Sequence, residues 1–331
     1  MEVLGSIGWL ALGVVLLYWG AEWLVAGSRE IALRMGISPL VVGLTVVAFG
    51  TSAPELVVSV QANLQDPPLG ELAVGNIVGS NICNIALILA VAALVRPLRV
   101  HLQVVRREMP ILLAVSLVAA GMLWDRTIDR WEGVVLFAGI LGYVWLSIRL
   151  ARKEPERSKF EGFEGAEVET ARHAGAGRIL RDFGLIVVGL GALIYGADRL
   201  VAGGSAIARA YGVSEAVIGL SLLALGTSLP ELATSVVAAA RHQSDLIIGN
   251  ALGSCLFNLL CVLGLAALIL PLRAPGLEWV DLWVMLGLTL VVLPLLWLGM
   301  RLSRLDGVLL LAAYAAYIAY LALRNGGAGA G

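Results

Sequence analysis

Ten stretches of this 331-residue chain are long and apolar enough to cross a bilayer, near 7–26, 40–61, 72–95, 107–124, 131–149, 183–202, 213–239, 246–270, 279–299 and 306–323. A spanning helix needs about 20 largely apolar residues, whereas barrel strands would read as alternating segments of about ten. In hydrocarbon every backbone polar group must be satisfied internally, so continuous apolar runs become helices. The expectation is an all-α membrane protein with ten transmembrane helices. Composition agrees, at 59% hydrophobic and 14% charged, where a soluble protein carries about a quarter of its residues charged. A soluble enzyme is thereby excluded. With 23 Lys+Arg against 24 Asp+Glu, no basic surface remains for nucleic acid.

Cys83, Cys255 and Cys261 lie in apolar runs and read as small hydrophobes, not as a disulfide framework. His101, His173 and His242 fall in loops, so neither a nucleophile–base pair nor a histidine metal cluster is expected, and the chain is not read as an enzyme. Glu2 stands where a secretory signal carries Lys or Arg, which points to a retained first helix.

The one sustained polar stretch, 151–181, mixes both charge signs and cannot bury a core. Its acids Glu161, Glu164, Glu167 and Glu169 lack the spacing of a calcium loop, so it reads as a linker. It separates a first five-helix half, 1–150, from a second, 182–331. Placing the N-terminus outside puts 17 Lys and Arg in the loops on the cytoplasmic side and 6 on the other. The bias predicts both termini outside and the linker in the cytoplasm.

The two halves repeat one another. LeuThrValValAlaPheGlyThrSerAlaProGluLeuValValSerVal at 44–60 aligns with LeuSerLeuLeuAlaLeuGlyThrSerLeuProGluLeuAlaThrSerVal at 220–236. GlyAsnIleValGlySerAsnIleCysAsn at 75–84 aligns with GlyAsnAlaLeuGlySerCysLeuPheAsn at 249–258, and GlyAlaGluTrpLeuValAlaGly at 20–27 with GlyAlaAspArgLeuValAlaGly at 196–203. Five spans per half is an odd number, so the second half enters the membrane upside down relative to the first. Two inverted five-helix repeats are a plan used by many secondary transporters, with the binding site between the repeats near mid-membrane.

The repeated GlyThrSer-x-ProGlu motif puts Glu55 and Glu231 midway along apolar spans, where a carboxylate costs several kcal/mol unless it is partnered. Pro54 and Pro230 break the helix and free the carbonyls before them, including those near Thr51 and Thr227. A capping box also fits, with Ser52 and Ser228 each three residues ahead of the acid. A glutamine would cap as well without burying charge, which favours cation ligation for the two glutamates. Ser80 and Asn84, like Ser254 and Asn258, are four apart and share a helix face. With the Ser52 and Ser228 hydroxyls they complete an all-oxygen, two-carboxylate cage suited to calcium or sodium. Interhelical hydrogen bonding is the competing role for these neutral residues.

Gly75, Gly79, Gly249 and Gly253 have the small-xxx-small spacing of close helix packing. Asn76 and Asn250 read as helix caps, and Asn81 aligns with Cys255 and so draws no support from the repeat. Glu22 and Asp198 match each other near span ends, as an ion entrance or as ordinary interfacial acids.

At the two paired motifs the chain resembles the cation/calcium exchanger superfamily, in its prokaryotic sodium/calcium exchanger branch. The resemblance implies that Glu55 and Glu231 bind calcium and sodium, that Ser52, Ser228, Thr51, Thr227, Ser80 and Ser254 complete the ion sites, and that the first and sixth spans slide to alternate access. Asn84 and Asn258 match a ligand position that varies; several relatives, including potassium-dependent ones, carry Asp where this chain has Asn258. Proton-coupled calcium exchangers usually show GlyAsn-x-x-Glu instead of GlyThrSer-x-ProGlu.

Two adjacent carboxylates repel, so the pair is neutralised by one divalent ion, several monovalent ions or a proton. Overlapping ion sets exclude each other, which with alternating access is antiport. The expected function is sodium/calcium exchange at a bacterial or archaeal inner membrane by a monomer, with no cofactor and with calcium, sodium and protons as candidate ions. A proton/calcium antiporter is the alternative. A channel would need no counter-ion, and a non-transporting receptor leaves the mid-span acids unexplained.

Overall fold

The computed structural model describes residues 2–153, 176–210 and 224–327. The first half begins with α1 (Glu2–Met35) and a bent pair, α2 (Pro39–Thr51) and α3 (Ala53–Asn63). It continues with α4 (Gly70–Val95), α5 (Val104–Asp125) and α6 (Arg130–Lys153). The second half has α7 (Ala176–Ala210), a helical turn at Ala224–Gly226, α8 (Leu229–Ala240), α9 (Ser244–Ile269), α10 (Trp279–Trp297) and α11 (Arg304–Gly327). Among the described residues, eight helices are long and apolar enough to span a membrane, and the α2–α3 pair makes a ninth if counted as one broken span. Of the expected span 213–239, residues 213–223 lie outside the described residues, as does 154–175 of the linker.

Two helices outrun their expected bounds. α1 has 34 residues and α7 has 35, about 50 Å at 1.5 Å per residue, against a hydrocarbon core of about 30 Å. Apolarity marks only the part of a helix in lipid; the polar ends stay helical because the two helices continue to pack on each other. Gly20 and Gly189 set the closeness of that packing: a Cβ on either would stand 2.8 Å from the other's carbonyl oxygen. Further along, the Arg34 guanidinium donates to the Asp182 carboxylate at 2.6 Å.

α4 and α9 form the centre and are the most buried of the spanning helices. Each carries a π-helical turn at the matching place, Cys83–Ile88 and Phe257–Val262. Such turns interrupt the regular ladder and are frequent at functional positions. Large apolar side chains stand exposed on the outer helices, Trp131 and Trp145 on α6, Leu180 on α7 and Trp283 on α10 among them, as a lipid-facing surface requires. Two short antiparallel ladders tie the halves together: β1 (Leu98–Arg99) pairs with β4 (Arg301–Leu302), and β2 (Thr127–Ile128) with β3 (Leu272–Arg273).

Candidate functional site

The chain bends by 42° between α2 and α3, at Ser52. Pro54 lies in the first turn of α3 and Pro230 in the first turn of α8, where a missing N–H is harmless. Ser52 and Ser228 take the N-cap positions, as the capping reading expected, but neither side chain caps its helix. Both hydroxyls reach across to the other half: Ser52 Oγ donates to Glu231 Oε1 at 3.1 Å and Ser228 Oγ to Glu55 Oε1 at 3.3 Å. Ser254 Oγ adds a second contact to Glu231 Oε1 at 3.4 Å, and Ser80 Oγ lies 3.4 Å from Ser228 Oγ.

All ten expected site residues, Thr51, Ser52, Glu55, Ser80, Asn84, Thr227, Ser228, Glu231, Ser254 and Asn258, are buried. The serines and glutamates converge on one another. Thr51 and Thr227 turn their hydroxyls elsewhere, to Asn250 Oδ1 at 3.1 Å and Asn76 Oδ1 at 3.4 Å. Asn76 and Asn250 are therefore not caps: each sits inside α4 or α9, one helical turn before Ser80 or Ser254. The spacing 76, 80, 84 and 250, 254, 258 puts each set on one helix face, and that regularity was the available signal. Asn76 also donates to Ser59 Oγ at 3.0 Å and to the main-chain carbonyl of Glu55 at 3.3 Å.

Six buried polar atoms at this place have no hydrogen-bond partner among the described residues: Glu55 Oε2, Glu231 Oε2, both amide atoms of Asn84, Oδ1 of Asn258 and Nδ2 of Asn250. A buried unpaired acceptor costs a few kcal/mol, more if it is charged. Neither glutamate has an ion-pair partner among the described residues, and no cluster of three or more His, Cys, Asp or Glu occurs among them. What the centre offers is buried carboxyl, hydroxyl and amide oxygen with no cationic side chain paired to it among the described residues, the donor set of a hard cation.

The other candidates fall as follows. Cβ atoms on Gly249 and Gly253 would stand 2.5 Å from Leu40 O and 2.7 Å from Ala48 Cβ, so these two glycines serve close packing. A Cβ on Gly75 or Gly79 would meet no described atom outside its own helix within 4 Å. Glu22 accepts from Arg241 at 2.8 Å, and Asp198 pairs with its neighbour Arg199.

An all-helical chain that crosses the membrane several times and holds two facing, unneutralised acids at its centre has the makings of a cation carrier. The sequence profile described as sodium/calcium exchanger protein matches residues 5–149 and 182–323, and the chain belongs to this family of membrane exchangers. It is 38% identical over 321 residues to the inner membrane protein YrbG of Escherichia coli, covering 94% of this chain and 95% of that one. With the sodium/calcium exchanger MaX1 of Methanosarcina acetivorans it shares 29% identity over 341 residues, 94% of this chain and 97% of the relative. A solved structure of the sodium-calcium exchanger NCX_Mj, soaked with Na+ and Sr2+, superposes with a TM-score of 0.83 at 30% identity, covering 96% of this chain and 99% of that one.

Proposed function

We propose that this protein exchanges sodium for calcium across the membrane by alternating access, through one carboxylate site shared between two inverted five-helix repeats. On this reading ten spans cross the bilayer, five from residues 1–150 and five from 182–331. The 151–181 linker is cytoplasmic, both termini are outside, and a monomer suffices because one chain carries the whole site.

The observation that carries the proposal is the pair of orphaned oxygens, Glu55 Oε2 and Glu231 Oε2, buried with no cationic side chain paired to them among the described residues. Their partner is a mobile ion. Glu55, Glu231, Ser52, Ser228, Ser80, Ser254, Asn84 and Asn258 supply side-chain oxygens, and Thr51 and Thr227 contribute main-chain oxygen at the broken helices. One calcium ion or several sodium ions neutralise the two acids, and neither set fits fully beside the other.

Calcium uptake into proteoliposomes tests this, driven in turn by a sodium gradient and by a pH gradient. Uptake coupled to sodium, abolished in Glu55→Gln and Glu231→Gln variants that remain folded, is the expected result. Uptake driven by the pH gradient alone would instead establish proton/calcium exchange. Full sodium-driven flux in either variant would refute the assignment of the acids.

A further inference from the structure

At one buried position beside the site the two halves differ in polarity, with an amide in one and a thiol in the other. Asn81 on α4 matches Cys255 on α9, and the two face each other: Asn81 Nδ2 lies 3.5 Å from the Cys255 main-chain carbonyl, and Cys255 Sγ lies 3.8 Å from the Asn81 main-chain carbonyl. Asn81 Oδ1 in turn accepts from Asn258 Nδ2 at 3.2 Å. All three side chains are buried.

This relay has a polarity. A main-chain carbonyl can only accept, so it draws the NH2 group of Asn81 and turns the Asn81 oxygen toward Asn258. That oxygen engages the NH2 group of Asn258, which leaves Asn258 Oδ1 without a partner among the described residues. Reversing both amides would set the Asn81 oxygen against the Cys255 carbonyl oxygen. Asn84, the counterpart of Asn258, has no such neighbour among the described residues: position 255 is Cys, and both Asn84 amide atoms are unpartnered there.

We propose that Asn81 is a positioning residue that locks the Asn258 amide with its oxygen toward the ion, so that Asn258 is a fixed ligand and Asn84 a freely turning one. The inference rests on the ion-site reading above and deepens it: the repeats supply matching residues, but the site is asymmetric, and the asymmetry originates outside the ligand set. An amide that presents NH2 repels a cation, so removing the tether weakens binding without altering the ligands.

Sodium-driven calcium uptake by the full chain in proteoliposomes tests it. Asn81→Cys, which installs the residue already accepted at the matching position, should raise the half-saturating calcium concentration roughly tenfold, as loss of a ligand-orienting partner does, with the maximal rate nearly unchanged. In an Asn258→Asp background the same substitution should have no such effect, because both carboxylate atoms are oxygens and none needs orienting. The double exchange Asn81→Cys/Cys255→Asn should move the tether to Asn84. Asn258→Ala should be the more damaging alanine replacement in the parent, and Asn84→Ala in the exchanged protein.

Parent-like half-saturation in Asn81→Cys, or an equal loss in the two backgrounds, overturns the assignment. Where Asn81→Cys does not fold, the double exchange carries the test, and an unchanged ranking of Asn84 and Asn258 overturns it. Abolished transport in Glu55→Gln and Glu231→Gln together with a silent Asn81→Cys sinks this inference alone. Retained transport in the glutamate variants sinks it along with the reading of the site.

Discussion

Ser52 donates to Glu231 across 179 residues of chain, at 3.1 Å, while Ser228 donates to Glu55 at 3.3 Å. Each half's hydroxyl thus serves the other half's acid. Ser52→Ala and Ser228→Ala should each raise half-saturating calcium roughly tenfold, the usual loss for a group that orients a metal ligand. Saturation curves of sodium-driven uptake check this, and parent-like curves for both variants would show the crossed contacts to be dispensable.

Acidification should inhibit. Glu55 and Glu231 hold a cation only when ionised, so protons compete with it, and half-saturating calcium should rise as pH falls. Measured calcium binding that stays flat down to about pH 4, below the ordinary glutamate value of about 4.3, would count against a carboxylate site.

The α1–α7 contact should tolerate no added volume where Gly20 meets Gly189. Gly20→Ala puts a Cβ within 2.8 Å of the Gly189 carbonyl oxygen, and such overpacking costs about 1–3 kcal/mol. Gly191 lies two residues from Gly189 and is exposed, and a Cβ on it would meet no described atom outside its own helix within 4 Å, so Gly191→Ala is the control. Thermal unfolding in detergent should fall for Gly20→Ala and hold for Gly191→Ala.

Arg34 and Asp182 join α1 to α7 away from the candidate site. Arg34 is 7% exposed and Asp182 is fully buried, whereas the other arginine on Asp182, Arg181, is 63% exposed. Arg34→Met should therefore destabilise by roughly 3 kcal/mol, since it strips a buried carboxylate of its buried partner. Arg34→Met/Asp182→Asn should recover part of that loss. A double variant no more stable than Arg34→Met would show that the pair is not coupled.

Much of the site could be read from residue order alone. Glu55 and Glu231 stand out because hydrocarbon penalises a charge wherever it falls, and because the same acid appears twice behind the same Pro. Ser80 with Asn84, and Ser254 with Asn258, share a face because helical periodicity is local. Asn76 and Asn250 read as helix caps because Asn favours caps, yet both lie inside helices, where their amides reach the other helices of the site.

What one chain's residue order determines here is depth, periodicity and repetition, since solvent transfer and helix geometry act residue by residue. Which half serves which acid was settled only by packing. The Ser52–Glu231 bond, the Thr51–Asn250 contact and the Asn81–Asn258 tether join residues 179, 199 and 177 positions apart. Their distances depend on how two sets of helices seat against each other, and no local rule encodes that.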